Sequence, residues 1–392
     1  TGDRGLRSGT RLGTGARLPL SPEVAGWCAA ANASGAPILA VDLPTGVTAD
    51  SGAVADDAVR AALTVTFITP KLGLVTYQAA HHAGTVVVAD IGVPREISDV
   101  PGAPEVLAYP EIAEYVPMPA PDAHKNSRGR VLVVAGSARY PGAAVLATRG
   151  AQRLGAGYVT LAVPDPVVTI AQGHLVSAPV VGLAADGGAF APAALDEALK
   201  LAAQHDAVVL GPGLTLTDGA MRFAFEFYEQ CPVHMVVDAD ALGALAASAS
   251  SLPARSAATI LTPHPGELAR MLGDAVDAVQ TDRVSSYRRL AGDERVVVLK
   301  GAGTVVSGYG RSVIVTSGSS ALATAGTGDV LAGAIGALLA QHVRAFDAAV
   351  LGAHLHGLAG QLAAEELTPV CVTADDVVGY LPAAVAALLA AE

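Results

Sequence analysis

The chain reads as an α/β protein built on mostly parallel sheets, and three observations carry that reading. Short apolar runs bounded by Gly or Pro recur along it, Ala- and Leu-rich helical stretches lie between most of them, and Gly-rich or acidic loops follow strand after strand. Its 392 residues, 52% hydrophobic and 15% charged, give ample material for two or three cores and are the opposite of a disordered composition. Lys+Arg 24 against Asp+Glu 36 leaves a formal charge of -12, with no basic stripe, which argues against a nucleic-acid binder. Anionic small molecules stay open, since backbone N–H groups and a few placed cations hold phosphate inside an acidic protein. Lysine is scarce (Lys71, Lys125, Lys200 and Lys300), so the place of each one is informative.

Cys28, Cys231 and Cys371 lie far apart without a C-x-x-C pair, which indicates neither a disulfide framework nor a zinc site and fits a reducing cytoplasm. The apolar runs Val330 to Ala340 and Leu381 to Ala391 are too short to span a bilayer. The first residue is not Met, and Gly2, Gly5, Gly9, Gly13 and Gly15 alternate with Arg, so the chain reads as entered midway.

Pro117, Pro119 and Pro121 mark an extended spacer, placed at 117–123, between a front piece, 1–116, and a back piece, 124–392. In the front piece Ser21 suits an N-cap and Pro22 the first helical position of a helix running to Ala33. Ile38–Val41, Leu63–Ile68 and Thr85–Ala89 follow as strands. Three parallel strands with one or two helices leave faces uncovered, so the piece reads as the second half of a doubly wound domain. In the back piece the strands are expected at Arg130–Ala135, Tyr158–Val163, Ala207–Leu210, Met235–Asp238, Thr259–Leu261, Val296–Lys300, Thr304–Ser307 and Ser312–Thr316, with a helix at Ala143–Leu154.

The loops at those strand ends carry the candidate chemistry. Gly326-Thr327-Gly328-Asp329 opens an apolar helix, so its backbone can approach a ligand closely while unpaired N–H groups and the helix dipole face an anion. Asp329 there could take a proton from a substrate hydroxyl; the same residues also suit a plain helix cap. Lys300 ends a strand before Gly301-Ala302-Gly303-Thr304 and could reach a phosphate, or merely decorate a hairpin. His264, between Pro263 and Pro265, is presented at a strand's carboxyl end, where open α/β sheets bind ligands. Glu267 reads as a dipole complement in the first turn, and Asp238 and Asp240 as either a water-mediated Mg²⁺ pair or a helix start. His354 and His356 fall on different faces of a continuous helix and are rejected as a ligand pair.

Taken in order, His124-Lys125, the run from Gly129 through Ser137, Pro141-Gly142-Ala143, Arg153 to Gly157, Gly211-Pro212-Gly213, Asp238-Ala239-Asp240, Thr262 to Glu267, Lys300 to Thr304 and Ala325 to Asp329 resemble the ADP-dependent NAD(P)H-hydrate dehydratases. Asn126 departs from the Gly usual there. The resemblance implies a ribokinase-like three-layer α/β sandwich that restores NAD(P)H from its S-form hydrate, releasing AMP and phosphate. By that resemblance Asp329 is the catalytic base. Ala143, Gly213, His264 and Asp329 would line the hydrated cofactor, and Lys300, Gly301, Ala302, Gly303, Thr304, Gly326, Thr327 and Gly328 would bind the adenine nucleotide with Mg²⁺. A homo-oligomer, a tetramer, is implied too, with small-molecule substrates and neither nucleic acid nor membrane as partner. The alternative is a small-molecule kinase of the same fold acting on a hydroxymethylpyrimidine or thiazole alcohol.

The front piece resembles the C-terminal half of a Rossmann-like NAD(P)H-hydrate epimerase through Gly13 to Arg17, Val41 to Gly46, Thr66-Phe67 with Lys71 to Leu74, and Asp90 to Pro94. That resemblance would put Gly13, Thr14, Gly15, Ala16, Arg17, Leu18, Pro19 and Asp42 on the nucleotide and Thr45 on potassium. The family's Asn-Gly-Gly-Asp loop is missing and Gly9 stands where an Asp ligand of potassium belongs, so this half is expected to be incomplete and inactive.

Overall fold

A computed structural model describes residues 18–94, 102–107, 109–246, 252–281, 283–292 and 294–391. The chain forms two compact units, one made of 1–104 with 280–282 and the other of 105–279 with 283–392. Gly13 to Arg17, named above, lie outside the described residues.

In the first unit the helix Pro22–Ala33 begins as its sequence requires, with the Ser21 hydroxyl accepting from Val24 N at 3.4 Å and Pro22 at the first position. Strands β1 (Leu39–Val41), β2 (Leu63–Phe67) and β3 (Thr85–Ala89) pair in parallel in that order. One face of this sheet packs into a small cluster with Leu43, Val47, Leu74 and Ala79, joined by Val86. The other face leaves Leu39, Val41 and Val87 open, 56%, 62% and 46% exposed within a sheet type that is ordinarily covered on both sides.

The second unit is built on nine strands. In chain order they include β4 (Arg130–Val134), β5 (Tyr158–Pro164), β6 (Val180–Leu183), β9 (Ala207–Leu210), β10 (His234–Val237), β11 (Thr259–Leu261), β12 (Arg295–Leu299), β13 (Thr304–Gly308) and β14 (Arg311–Val315), with the short hairpin β7 (Ala185–Asp186) and β8 (Ala189–Phe190) set apart. Their spatial order is β14-β13-β12-β11-β10-β9-β4-β5-β6, parallel from β12 to β6 and antiparallel through β13 and β14. Strands β9 and β11 are buried at every position, as a parallel sheet covered on both faces demands. On one face Val131, Val209, Val236 and Val298 share a core with the apolar helices Thr327–Ala340 and Ala345–Leu367.

Two features were not read from sequence. Strand β6 is a short run, Val180-Val181-Gly182-Leu183, interrupted by glycine and half-buried at the sheet's edge; the β7–β8 hairpin is too short to show periodicity. Residues 105–116 pack on the second unit: Glu105 N donates to Ser312 O at 2.8 Å, and Ile112 enters its core. The spacer Pro117–Pro121 therefore follows the division between the units rather than marking it. No described helix is long and apolar enough to cross a membrane.

Candidate active site

The carboxyl ends of the parallel strands are stitched into one continuous edge. Gly136 N donates to Pro212 O (2.7 Å), Asp238 N to Leu210 O (3.0 Å), Thr262 N to Val237 O (3.1 Å) and Lys300 N to Pro263 O (2.9 Å). Each loop thus extends the hydrogen bonding of the sheet by one residue and lands its side chain on the same rim, where open α/β sheets bind ligands. Close approach needs glycine at two places. A Cβ on Gly211 would lie 1.8 Å from Asp238 O, and one on Gly213, at φ +68, would lie 2.9 Å from both Ala143 Cβ and Tyr140 Cβ. The structure therefore brings Ala143 and Gly213 into contact.

At the rim's centre Lys300 Nζ pairs with Asp238 Oδ1 at 2.7 Å, and the Thr262 hydroxyl donates to the same oxygen at 2.7 Å. Glu267 Oε2 lies 3.9 Å from Lys300 Nζ and accepts His264 N at 2.8 Å. The His264 ring caps the helix Pro265–Leu272: Nδ1 accepts from Gly266 N at 3.0 Å and Glu267 N at 3.3 Å. Nδ1 must then be unprotonated, which leaves Nε2 as the donor, 3.4 Å from Glu267 Oε1. The imidazole is exposed to solvent and so remains available to a ligand.

Asp329 stands in the first turn of the buried helix Thr327–Ala340, after Gly326 in the left-handed region at φ +94. A Cβ on Gly326 would meet Leu146 Cδ1 at 2.6 Å, and one on Gly328 would fall 3.4 Å from Lys300 Nζ and 3.9 Å from Asp238 Oδ2. The glycine turn, Lys300 and Asp238 thus share one small space. Burial, then the neighbouring charge of Asp238, pushes the Asp329 carboxyl up to about 7, with Asp240 and Glu267 adding to the rise and Lys300 opposing it. Lys300 is pulled down by burial, but Asp238 and Glu267 outweigh that and raise it, so it stays a cation. The Asp329 carboxylate makes no ion pair among the described residues.

Among the nucleotide candidates, the Thr327 hydroxyl proton is already directed at Leu322 O (2.9 Å) and Thr324 O (3.0 Å), so that side chain has no donor free for phosphate. Gly301, Ala302, Gly303 and Thr304 form the exposed to half-buried turn joining β12 to β13, and the Thr304 hydroxyl donates to Gly301 O at 2.9 Å. Lys300, at its base, is not the solvated lysine of a bare hairpin. Sequence reasoning undervalued Asp238 and Glu267. Their signal was position: both follow strand ends that already carried candidate residues. Mg²⁺ finds no protein cage here, since no three described His, Cys, Asp or Glu side chains are set to hold a metal. With Asp238 Oδ1 already taken, the donor set fits an ion carried on phosphate oxygens and reached by carboxylates through water. His354 and His356 are buried in the helix Ala345–Leu367, and burial pushes both down to about 4.

In the first unit Asp42, at φ +69 just after β1, pairs with Lys71 Nζ at 2.8 Å and accepts from the Thr66 hydroxyl at 3.1 Å. Thr45 is half-buried in the following turn, its carbonyl accepting from Val59 N at 2.9 Å. Leu18 and Pro19 are joined by a cis peptide.

The fold is that of a ribokinase-like α/β enzyme, and its candidate site gathers at the sheet's carboxyl edge. A family model described as NAD(P)H-hydrate dehydratase matches residues 131–383, and one described as the YjeF-related protein N-terminus matches 12–73. The chain belongs to the NAD(P)H-hydrate dehydratase family. A bifunctional NAD(P)H-hydrate repair enzyme of Thermofilum pendens is 38% identical over 385 residues, covering 96% of this chain and 72% of its own length. One of Mycobacterium leprae is 36% identical over 374 residues, 94% of this chain and 73% of its own. The crystal structure of an ADP/ATP-dependent NAD(P)H-hydrate dehydratase from Bacillus subtilis, co-crystallized with ATP/Mg²⁺, matches with TM-score 0.62 and 28% identity over 72% of this chain and 98% of that one. A ribokinase-like superfamily protein of Enterococcus faecalis, 22% identical with TM-score 0.62, shares the fold. Likeness to named repair enzymes along nearly the whole chain favours the dehydratase over the small-molecule kinase.

Proposed function

We propose that the second unit dehydrates the S-form of NAD(P)H hydrate at the expense of ADP, with Asp329 as the base. The observation that carries this reading is the Asp329 carboxyl, unpaired and raised to about 7, set beside a glycine turn that faces Lys300. Asp329 takes the proton of the ring hydroxyl, and that oxygen attacks the terminal phosphorus of ADP as AMP departs with the bridging oxygen. The hydroxyl has become a phosphate ester, a far better leaving group. The ring nitrogen's lone pair expels phosphate, and loss of the neighbouring C–H proton restores the double bond. The elements of water end in phosphate. The protein's part is positioning and charge stabilisation, as in phosphoryl transfer generally.

Backbone N–H groups of Gly326, Thr327 and Gly328 hold the transferring phosphoryl group, the Lys300–Thr304 turn holds the rest of the phosphates, and Mg²⁺ neutralises charge on them. Ala143, Gly213 and His264 line the hydrated nicotinamide, with His264 Nε2 donating to it. The first unit is the epimerase-like part in this reading: Asp42 is its candidate nucleotide contact and Thr45 its candidate potassium contact. Free thiols at Cys28, Cys231 and Cys371 fit work in a reducing cytoplasm. The test is incubation with hydrated NADH and either ADP or ATP. Return of reduced-nicotinamide absorbance with stoichiometric AMP or ADP supports the reading, and accumulation of a stable phosphorylated alcohol supports the kinase instead.

A further inference from the structure

The turn from Lys300 to Thr304 is held from beneath by one residue that the reaction itself does not use. Arg283 lies in the helical segment Arg283–Arg288 and is 4% exposed. Its Nη2 donates to Leu299 O at 3.0 Å, to Lys300 O at 3.2 Å and to Gly303 O at 3.4 Å. These carbonyls belong to the end of β12, to the first residue of the turn and to its last glycine. A Cβ on Gly301 would fall 3.1 Å from Arg283 Nη1, so the guanidinium packs directly against a residue held at φ +131, where only glycine is at ease.

Peptide planarity gives this contact a consequence. In a trans peptide the C=O and the following N–H point in opposite directions. With Lys300 O drawn to the guanidinium, the N–H of Gly301 must aim the other way, into the open side of the turn, while Thr304 is held in register opposite Val315 of β14. A cation that gathers the carbonyls at the base of a turn thereby frees the N–H that follows to face an anion. Lysine cannot do the same work. Its ammonium has no guanidinium plane to pack against Gly301.

We propose that Arg283 is a positioning residue for the nucleotide, setting the shape of the Lys300–Thr304 turn so that its backbone receives phosphate; this rests on the nucleotide-cradle reading above. The full chain, as wild type, Arg283→Gln, Arg283→Lys and Lys300→Ala, is titrated with ADP by calorimetry, and the Michaelis constant for hydrated NADH is measured alongside. Arg283→Gln is expected to weaken ADP about 10–100-fold, the scale of a misplacement near 1 Å, while the hydrate constant stays near wild type; Arg283→Lys recovers only part of the loss. Unchanged ADP affinity in Arg283→Gln, with Lys300→Ala impaired, overturns the role of Arg283 and leaves the cradle standing. Unchanged affinity in Lys300→Ala instead overturns the cradle. Equal loss of ADP and hydrate binding in Arg283→Gln shows a merely structural residue. Should Arg283→Gln not fold, amide hydrogen exchange in Arg283→Lys decides: faster exchange at Gly301 with weaker ADP supports the proposal, and wild-type behaviour in both overturns it.

Discussion

Asp238 and Asp42 each sit one residue past the end of a parallel strand and each holds a lysine, Lys300 at 2.7 Å and Lys71 at 2.8 Å. A threonine hydroxyl donates to each carboxylate as well, from Thr262 and from Thr66. What differs is the setting. The Asp238 side chain is 1% exposed beneath a sheet covered on both faces, while that of Asp42 is 23% exposed beside a sheet with one open face. More important, Glu267, Asp240 and Asp329 crowd the first pair, so four carboxylates share the field of one lysine. That excess of negative charge, added to burial, is what lifts Asp329 toward neutrality. The same ion pair is thus local scaffolding in one unit and, in the proposed reaction, part of a proton-accepting device in the other.

Removing the device should show most strongly. Asp329→Asn is expected to lower turnover about 10²–10⁴-fold, the usual worth of a general base, with ADP still bound; rate and ADP titration on one preparation check both halves. Breaking the two pairs then separates the settings. Asp238→Ala leaves Lys300 buried without its closest partner and should cost about 3–5 kcal/mol, whereas Asp42→Ala should cost about 1 kcal/mol, nearer the range of surface pairs. Denaturant unfolding of the two variants measures the difference, and equal costs would erase the distinction drawn here.

The pH dependence is subtler and has a definite sign. A base raised to about 7 must lose its proton to act, so kcat/KM should climb from pH 6 to pH 8 in wild type, and Asp329→Asn should lack that limb. Stability runs the other way. Between the unfolded carboxyl value and about 7 the folded chain binds the proton that the unfolded chain has released, so Asp329 erodes stability as pH rises through that window. Asp329→Asn should therefore melt higher than wild type at pH 8 and differ little at pH 4, which a pair of thermal scans reads directly.

Much of this was legible in the sequence, for identifiable reasons. The apolar runs at Ala207–Leu210 and Thr259–Leu261 coincide with strands because a covered parallel sheet admits few polar residues. Ser21 and Pro22 marked a helix start because cap chemistry is local. Ala143 with Gly213, and Lys300 with the Gly326–Gly328 turn, were flagged separately, and only the fold shows them touching. Tertiary relations stayed hidden. Lys300 gave no sign that Asp238, 62 residues earlier, would hold it, and Glu267 looked like a dipole complement because its reach toward Lys300 depends on how β11 and β12 pair. Arg283 carried no signal at all, since an arginine in a helical stretch is ordinary until its carbonyl partners are known.

The central claim is a charge state, and it is open to direct measurement. Carbon-13 NMR titration of the aspartate carboxyls in the full chain, with Asp329→Asn used to assign the Asp329 signal, reads that group alone. A midpoint close to 7 is the result required by a carboxyl buried among Asp238, Asp240 and Glu267. A midpoint near the unperturbed value of about 3.9 would contradict the account, because Asp329 would then be an ordinary solvated carboxylate.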